Sequence, residues 1–196
     1  MRLDTQDPVQ EVAAWIEEAS QNSHIKYPTV MCLSTLNFEG FPEGRMVLLK
    51  GISEGGFVFF TNRQSTKGKS LENCSKVSLV FYWEALGKQV RILGTAQDVS
   101  DEDSDVYFHT RPRMSQIGAL ASSQSELLES RDFLIEKTAQ IERLYEGKEV
   151  PRPSHWQGYR VIPQKIEFWI EQPYRLHDRF LFSKTESGWE CIRLYP

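Results

Sequence analysis

Paired cysteines are missing from this chain. Cys32, Cys74 and Cys191 are odd in number, far apart, and form no C-x-x-C pair. That argues against a disulfide framework or a structural zinc site and fits a reducing, cytoplasmic compartment. No apolar run approaches the ~20 residues of a membrane helix, so no membrane partner is expected. The first ten residues lack the apolar core of a signal peptide. Strong charge of either sign is absent too. The formal net charge is -4, so no broad nucleic-acid-binding face is expected and any cationic site must be local. The four histidines, at 24, 109, 155 and 177, show no metal-ligand spacing, and no metal is expected. There is no G-x-S-x-G, H-E-x-x-H, P-loop or G-x-G-x-x-G signature.

What remains is an ordinary globular composition, 40% hydrophobic and 26% charged, in 196 residues. That length suits one domain, 1–196, with a sizeable core. Asp7-Pro8 reads as a capped helix start, and Val9, Val12, Ile16 and Ala19 continue it over about 8–22. Strands are expected at 29–36, 42–50, 57–61, 77–83 and 89–99, then at 158–162, 165–170, 179–183 and 189–194. The apolar run at 57–61 reads as a strand buried on both sides. Helices are expected at 65–74, 100–110, 114–121 and 131–146, the last with Leu134, Thr138, Ile141 and Tyr145 on one face. The fold class is therefore α+β, mainly β: an antiparallel barrel with peripheral helices.

One strand organises the functional reading. Arg45-Met46-Val47-Leu48-Leu49-Lys50 reads as a buried strand with a cation at each end. Alternation puts Arg45, Val47 and Leu49 on one face and Met46, Leu48 and Lys50 on the other. The two cations are either solvated strand ends or holders of two different anions. Elsewhere cations recur beside hydroxyls or amides: Thr61 with Ser65, Thr66 and Lys67; Tyr107 with Arg111 and Ser115; Gln124 with Ser125. Such sets suit charge-assisted bonds to a phosphate, although a pattern of this kind taken alone is more often an ordinary solvated face. Tyr107, Arg111 and Ser115 are each four apart and would share a face of a continuous helix, but Pro112 interrupts it. Residues 169–179 form a dense segment after a strand, with Arg175 and Arg179 around His177. It is either an exposed turn or a binding loop.

Taken in order, these stretches resemble the pyridoxamine 5'-phosphate oxidase family. The resemblance rests on 45–50, Phe60-Thr61-Asn62, Tyr107-Phe108-His109, Arg111-Pro112-Arg113, Ser115-Gln116-Ile117-Gly118-Ala119, Glu167-Phe168-Trp169 and Arg175-Leu176-His177-Asp178-Arg179, and covers roughly 8–196. It implies an FMN-binding split β-barrel, with C-terminal strands and a site loop at about 157–196, forming a homodimer with FMN at the interface. It implies oxidation of pyridoxamine or pyridoxine 5'-phosphate at C4' to pyridoxal 5'-phosphate, in vitamin B6 metabolism, with O2 as acceptor and H2O2 as product. FMN contacts would come from Arg45, Met46, Val47, Leu48, Leu49, Lys50, Phe60, Thr61, Thr66, Lys67, Gln89, Gln124, Ser125, Trp169 and Arg179, with Arg45 and Lys67 on its phosphate. Lys50, Tyr107, Arg111 and Ser115 would hold the substrate phosphate. Arg175, Leu176 and His177 would sit over the pyridine ring, Arg175 and His177 as the catalytic pair.

Three departures from the family pattern stand out. Thr66 replaces an arginine beside Lys67, worth ~1.5–3 kcal/mol of phosphate contact unless Arg63 or Lys69 substitutes. Ile170-Glu171 replaces Gln-Gly after Trp169, which adds a carboxylate near an anion site or merely one facing solvent. The chain also begins close to its first helix, without the extension that covers the substrate in some members. Three rival readings follow: a non-catalytic paralogue that binds FMN or pyridoxal 5'-phosphate, a phenazine-type flavin oxidase, and a structural interaction domain with no ligand.

Overall fold

The computed structural model describes residues 5–196. Helix α1 (Pro8–Gln21) starts where the Asp7 carboxylate accepts the Val9 N–H at 2.9 Å and Pro8 fills the first turn. Its buried stripe is Val9, Val12, Trp15 and Ala19, so Trp15 rather than Ile16 makes the main contact, edge-on to Phe168 at 4.9 Å. Fourteen elements follow the expected order with two changes. Residues 51–53 add a short strand, and the two strands expected at 158–162 and 165–170 are one.

Among the described residues nine strands share a single sheet. They are β1 (Val30–Leu36), β2 (Pro42–Leu48), β3 (Gly51–Ser53), β4 (Gly56–Asn62), β5 (Lys76–Trp83), β6 (Lys88–Asp98), β7 (Trp156–Ile170), β8 (Asp178–Thr185) and β9 (Gly188–Leu194). The order is β2-β1-β5-β6-β7-β4-β3, all antiparallel, with β8 and β9 continuing from β7. β7 is the element at which the barrel divides. Residues 156–161 pair with β4, residues 165–170 pair with β8, and β6 runs along both halves. The sheet curls into a split half-barrel. Pro163 does not end β7, because the register shifts at Leu93/Gly94 and the missing ladder bond falls at this bulge. Gly94 is required there: a Cβ would lie 2.4 Å from the Ile162 carbonyl oxygen.

The inward rows Leu33, Leu79, Ile92, Ile166 and Phe182, with Phe57, Phe59, Phe81 and Phe168, form the core. A second cluster, Phe108, Ile117, Val150 and Trp156, lies under α3 (Asp101–Thr110) and α4 (Arg113–Ala121). Helix α5 (Arg131–Leu144) has no fully buried residue, and the Leu134, Thr138, Ile141 and Tyr145 face is half-buried. β2 corrects the buried-strand expectation. Its residues alternate as expected, with Arg45 and Val47 half-buried and Leu49 buried. Met46 and Leu48 are instead 63% and 42% exposed. β2 lies at one end of the sheet order, and none of the described residues covers its outward face, on which Tyr82 and Leu93 are also exposed. No helix among the described residues is long and apolar enough to cross a membrane.

Candidate functional site

Two groups of polar residues stand on different parts of this scaffold. The first surrounds a cavity of about 460 Å³ between β2, β4, α3 and α4. Its wall is an aromatic stack. Phe60 lies 4.2 Å from Tyr107 and 4.9 Å from Trp156, with the rings within 13° and 8° of parallel. The Arg111 guanidinium sits over Trp156 at 4.9 Å and over Phe108 at 5.4 Å. Pro112 ends α3 and starts α4, and this bend brings Tyr107, Arg111 and Ser115 to one cavity although no continuous helix joins them. Lys50 completes the set from the end of β2.

The electrostatics of this cavity are one-sided. Among the described residues no carboxylate lines it. Arg111 Nη1 is buried without a hydrogen-bond partner among the described residues. Burial lowers the Arg111 pKa, and the nearby Tyr107 only partly opposes this. A buried guanidinium lacking a counter-charge is costly, and an arriving anion removes that cost.

A second cation pair adjoins the first. Helix α2 (Thr66–Asn73) is capped by Ser65, whose Oγ accepts from the Gly68 N–H. Gly68 allows the preceding turn to fold tightly on the helix, since a Cβ would lie 2.1 Å from the Arg63 carbonyl oxygen. Lys67 Nζ then reaches Ser65 Oγ at 3.2 Å and Gln124 Oε1 at 3.1 Å, and Thr61 Oγ1 donates to the same Gln124 oxygen at 3.4 Å. Burial first, and the charge of Arg45 second, lower the Lys67 pKa. Neighbouring Ser125 adopts a left-handed backbone, φ 74°. Thr66 is exposed at the start of α2. Neither proposed substitute replaces the missing arginine. Arg63 is bound to Glu72 at 3.4 Å and Asp98 at 3.1 Å, and Lys69 lies two residues from Lys67, on another face of the helix.

The Lys67 shift has a testable sign. The folded chain binds this proton less tightly than the unfolded chain does, so protonated Lys67 costs the apo fold stability below its folded pKa. That cost disappears as pH rises from the folded value toward the ordinary lysine value. In melts from neutral to alkaline pH, Lys67→Met should be more stable than wild type at neutral pH, and the gap should close as pH rises. A gap independent of pH would contradict the assignment.

The second group stands at the other end of β7. Gln89, Trp169 and Arg179 face one another across β6, β7 and β8. His177 lies 4.5 Å from the Trp169 ring, and its Nδ1 accepts the Gln172 backbone N–H at 3.2 Å. That bond places the proton of the neutral imidazole on Nε2, leaving Nε2–H as a donor. Gln172 Nε2 also donates to Asp178 at 3.0 Å. Tyr174 and Arg175 are successive residues in the left-handed region, φ 60° and 62°, so the loop is strained where Arg175 is presented. Leu176 is exposed and borders a hollow with His177 and the C-terminal residues. Arg179 Nε donates to buried Glu167 at 2.8 Å, its Nη1 donates to the Tyr195 carbonyl at 3.0 Å, and the Glu167 bond raises its pKa. Glu171 is exposed beside the Gly87 turn, its N–H donating to the Gly87 carbonyl at 2.8 Å.

Of the expected residues, Met46, Val47, Leu48, Lys50, Phe60, Thr61, Lys67, Tyr107, Arg111, Ser115 and Gln124 line one cavity. Arg45 adjoins through Lys67. Gln89, Trp169, Arg175, Leu176, His177 and Arg179 are not among its lining residues. Phe60 pairs with Gly158 and Gln89 with Trp169, so the groups are eleven β7 residues apart, roughly 35 Å of strand contour. Trp156 and Glu43 had no role in the sequence reading. Trp156 becomes meaningful only when Arg111 lies on it, and Glu43 only when Arg45 bonds to it.

Residues 16–145 match the family described as pyridoxamine 5'-phosphate oxidase, and residues 156–196 match the pyridoxine 5'-phosphate oxidase C-terminal dimerisation region. A pyridoxine/pyridoxamine 5'-phosphate oxidase of Mesorhizobium japonicum is 47% identical over 97% of this chain and 93% of that protein. A pyridoxine-5'-phosphate oxidase of Bos taurus is 48% identical over 93% of this chain and 70% of that protein. Among solved structures, PhzG from Burkholderia lata 383, in complex with tetrahydrophenazine-1-carboxylic acid, superposes with a TM-score of 0.93. The two are 27% identical, covering 99% of this chain and 95% of that one.

Proposed function

The chain belongs to the pyridoxamine 5'-phosphate oxidase family, and from that premise we propose that it oxidises pyridoxamine or pyridoxine 5'-phosphate to pyridoxal 5'-phosphate with FMN and O2. The observation that carries the substrate reading is the orphaned Arg111 guanidinium in a cavity without carboxylates. Lys50, Tyr107, Arg111 and Ser115 hold the substrate phosphate there, with up to two cations and two hydroxyls suited to a dianion.

The residues also fit a cofactor phosphate. Lys67 is a half-buried cation held, among the described residues, by the neutral Ser65 and Gln124 oxygens, and Arg45 is close enough to depress it. Arg45 and Lys67 take that phosphate, and Thr66 adds at most a hydroxyl. Met46, Val47, Leu48, Phe60, Thr61 and Gln124 line the flavin site, while Leu49, whose side chain is buried in the core, and Ser125 adjoin it through their chain neighbours. When bound, FMN supplies the two-electron acceptor for oxidation at C4' and passes the electrons to O2, releasing H2O2.

The remaining contacts come from a second copy of the chain. Gln89, Trp169 and Arg179 lie too far along β7 to reach the Lys67 group from within, so they meet the partner's flavin in a homodimer. Support comes from the exposed Met46, Leu48, Tyr82 and Leu93 on the outward sheet face and from the matched dimerisation region. We read each chain as one domain, a reading supported by the single sheet that the nine described strands share.

The protein's contribution to catalysis is orientation. Arg175 covers the pyridine ring, and its strained backbone holds it out from the sheet. Leu176 adds an apolar contact that excludes water. His177 donates from Nε2–H to the substrate, a role fixed by the Gln172 N–H on Nδ1. Glu167 keeps the Arg179 guanidinium in register.

The likeness to PhzG favours a second reading, oxidation of a phenazine precursor. One oxygen-dependent assay separates the two. Purified protein with FMN and pyridoxamine 5'-phosphate should form aldehyde and H2O2 in equal amounts. Flavin binding without turnover of this amine would sink the oxidase reading and favour the phenazine enzyme or a non-catalytic carrier.

A further inference from the structure

We propose that Glu43 competes with the cofactor phosphate for Arg45, so that this internal ion pair sets how tightly the chain holds FMN. The proposal rests on the cofactor reading above. Its basis is the uneven use of the Arg45 guanidinium, which has five N–H donors in a rigid fork. Nη1 donates to the Glu43 carbonyl at 2.7 Å, Thr35 Oγ1 at 2.7 Å and the Leu33 carbonyl at 3.2 Å. Nη2 donates to Glu43 Oε2 at 3.1 Å. Nε has no partner among the described residues. Nε and Nη2 are the two prongs that grip an oxyanion side-on, and Glu43 occupies one of them.

The Glu43 carboxylate is held in place from its other side. Oε1 accepts from Asn37 Nδ2 at 3.1 Å. Asn37 is itself fixed in the β1–β2 turn, where its Oδ1 accepts the Glu39 N–H at 3.0 Å and the Phe41 N–H at 2.9 Å. The turn that joins β1 to β2 thus aims a carboxylate at the arginine that the cofactor needs. Side-chain exposures of 20% for Arg45 and 38% for Glu43 leave the pair partly solvated, weak enough for a dianion to displace. Lys67 has no such anion among the described residues, which places the unmet positive charge on the Lys67 side of Arg45. With threonine at position 66, little else at this end can compensate, and the state of Arg45 weighs more.

The test is a titration of apo protein with FMN, read by quenching of flavin fluorescence at low salt. Riboflavin, which has no phosphate, serves as the comparison ligand. Glu43→Gln keeps the shape and the Asn37 contact but removes the charge. It should lower the FMN Kd by about two- to fivefold, the range expected for a partly solvated ion pair, and leave riboflavin unchanged. High salt should shrink the difference. Asn37→Ala, which unclamps the carboxylate without removing it, should shift FMN binding the same way by less, and it carries the test if Glu43→Gln does not fold. FMN binding equal to or weaker than wild type in a folded Glu43→Gln would overturn the proposal, since Glu43 would then orient Arg45 rather than occupy it. Tighter binding of riboflavin as well would also overturn it. Wild-type protein that binds neither flavin would overturn the cofactor reading itself, a distinct failure.

Discussion

Arg111→Met should lower kcat/KM for pyridoxamine 5'-phosphate by roughly tenfold to hundredfold, the loss expected for one charge-assisted phosphate contact of ~1.5–3 kcal/mol. The loss should fall mainly on KM, because the phosphate lies remote from C4' and is held alike in ground and transition states. The same variant should melt no lower than wild type. Met fills similar space against Phe108 and Trp156, so most of the apolar packing survives. What disappears is a buried Nη1 without an acceptor and a guanidinium whose pKa burial lowers. Leaving such a donor buried and unpaired costs ~1–3 kcal/mol, against a lost cation–π contact of ~0.5–2 kcal/mol. A structural arginine behaves in the opposite way, with Tm falling and kcat/KM nearly unchanged. Steady-state kinetics and a melt of the same preparation distinguish the two.

Mixing two impaired variants should restore activity at substrate concentrations well below their KM. Arg111→Met damages the group on β2, β4, α3 and α4, and His177→Ala damages the group beyond β7. If each site takes one group from each subunit, a mixed dimer contains one doubly damaged site and one intact site. Random re-association makes about half the dimers mixed, so about a quarter of wild-type activity should return. A site built within one chain would return only the sum of the two residual activities. Unfolding, mixing and refolding the variants together, followed by the peroxide assay, decides between them. The strand geometry favours restoration, because Phe60 pairs with Gly158 and Gln89 with Trp169, eleven residues further along β7, and neither Gln89 nor Trp169 lines the cavity that holds Phe60.

Much of this molecule was legible without coordinates, where local rules govern. Asp7-Pro8, Ser65 and Ser100 cap their helices as their side chains dictate, and period-two alternation in 45–50 gave the right faces. The 57–61 run is buried on both sides as its unbroken apolarity implies, apart from half-buried Phe60. The pattern failed where long-range pairing overrides local signals. Pro163 marks a bulge rather than a strand end, because Gly94 on β6 lets β7 pass through it. Met46 and Leu48 look like core residues in sequence, yet they stand exposed on an uncovered face.

The same division holds for the site. By itself the sequence determined which residue types were present and in what order: cations next to hydroxyls, and the ordered stretches by which the chain resembles its family. Those are properties of neighbours along the chain. Only the tertiary structure decided which cations have partners. Arg63 is taken by Glu72 and Asp98, Arg179 by Glu167 and Arg45 by Glu43, whereas Arg111 Nη1 is left unpaired. Charge pairing depends on distances of a few ångströms between segments tens of residues apart, and burial sets how much each unpaired charge costs. Neither quantity exists until the sheet has closed.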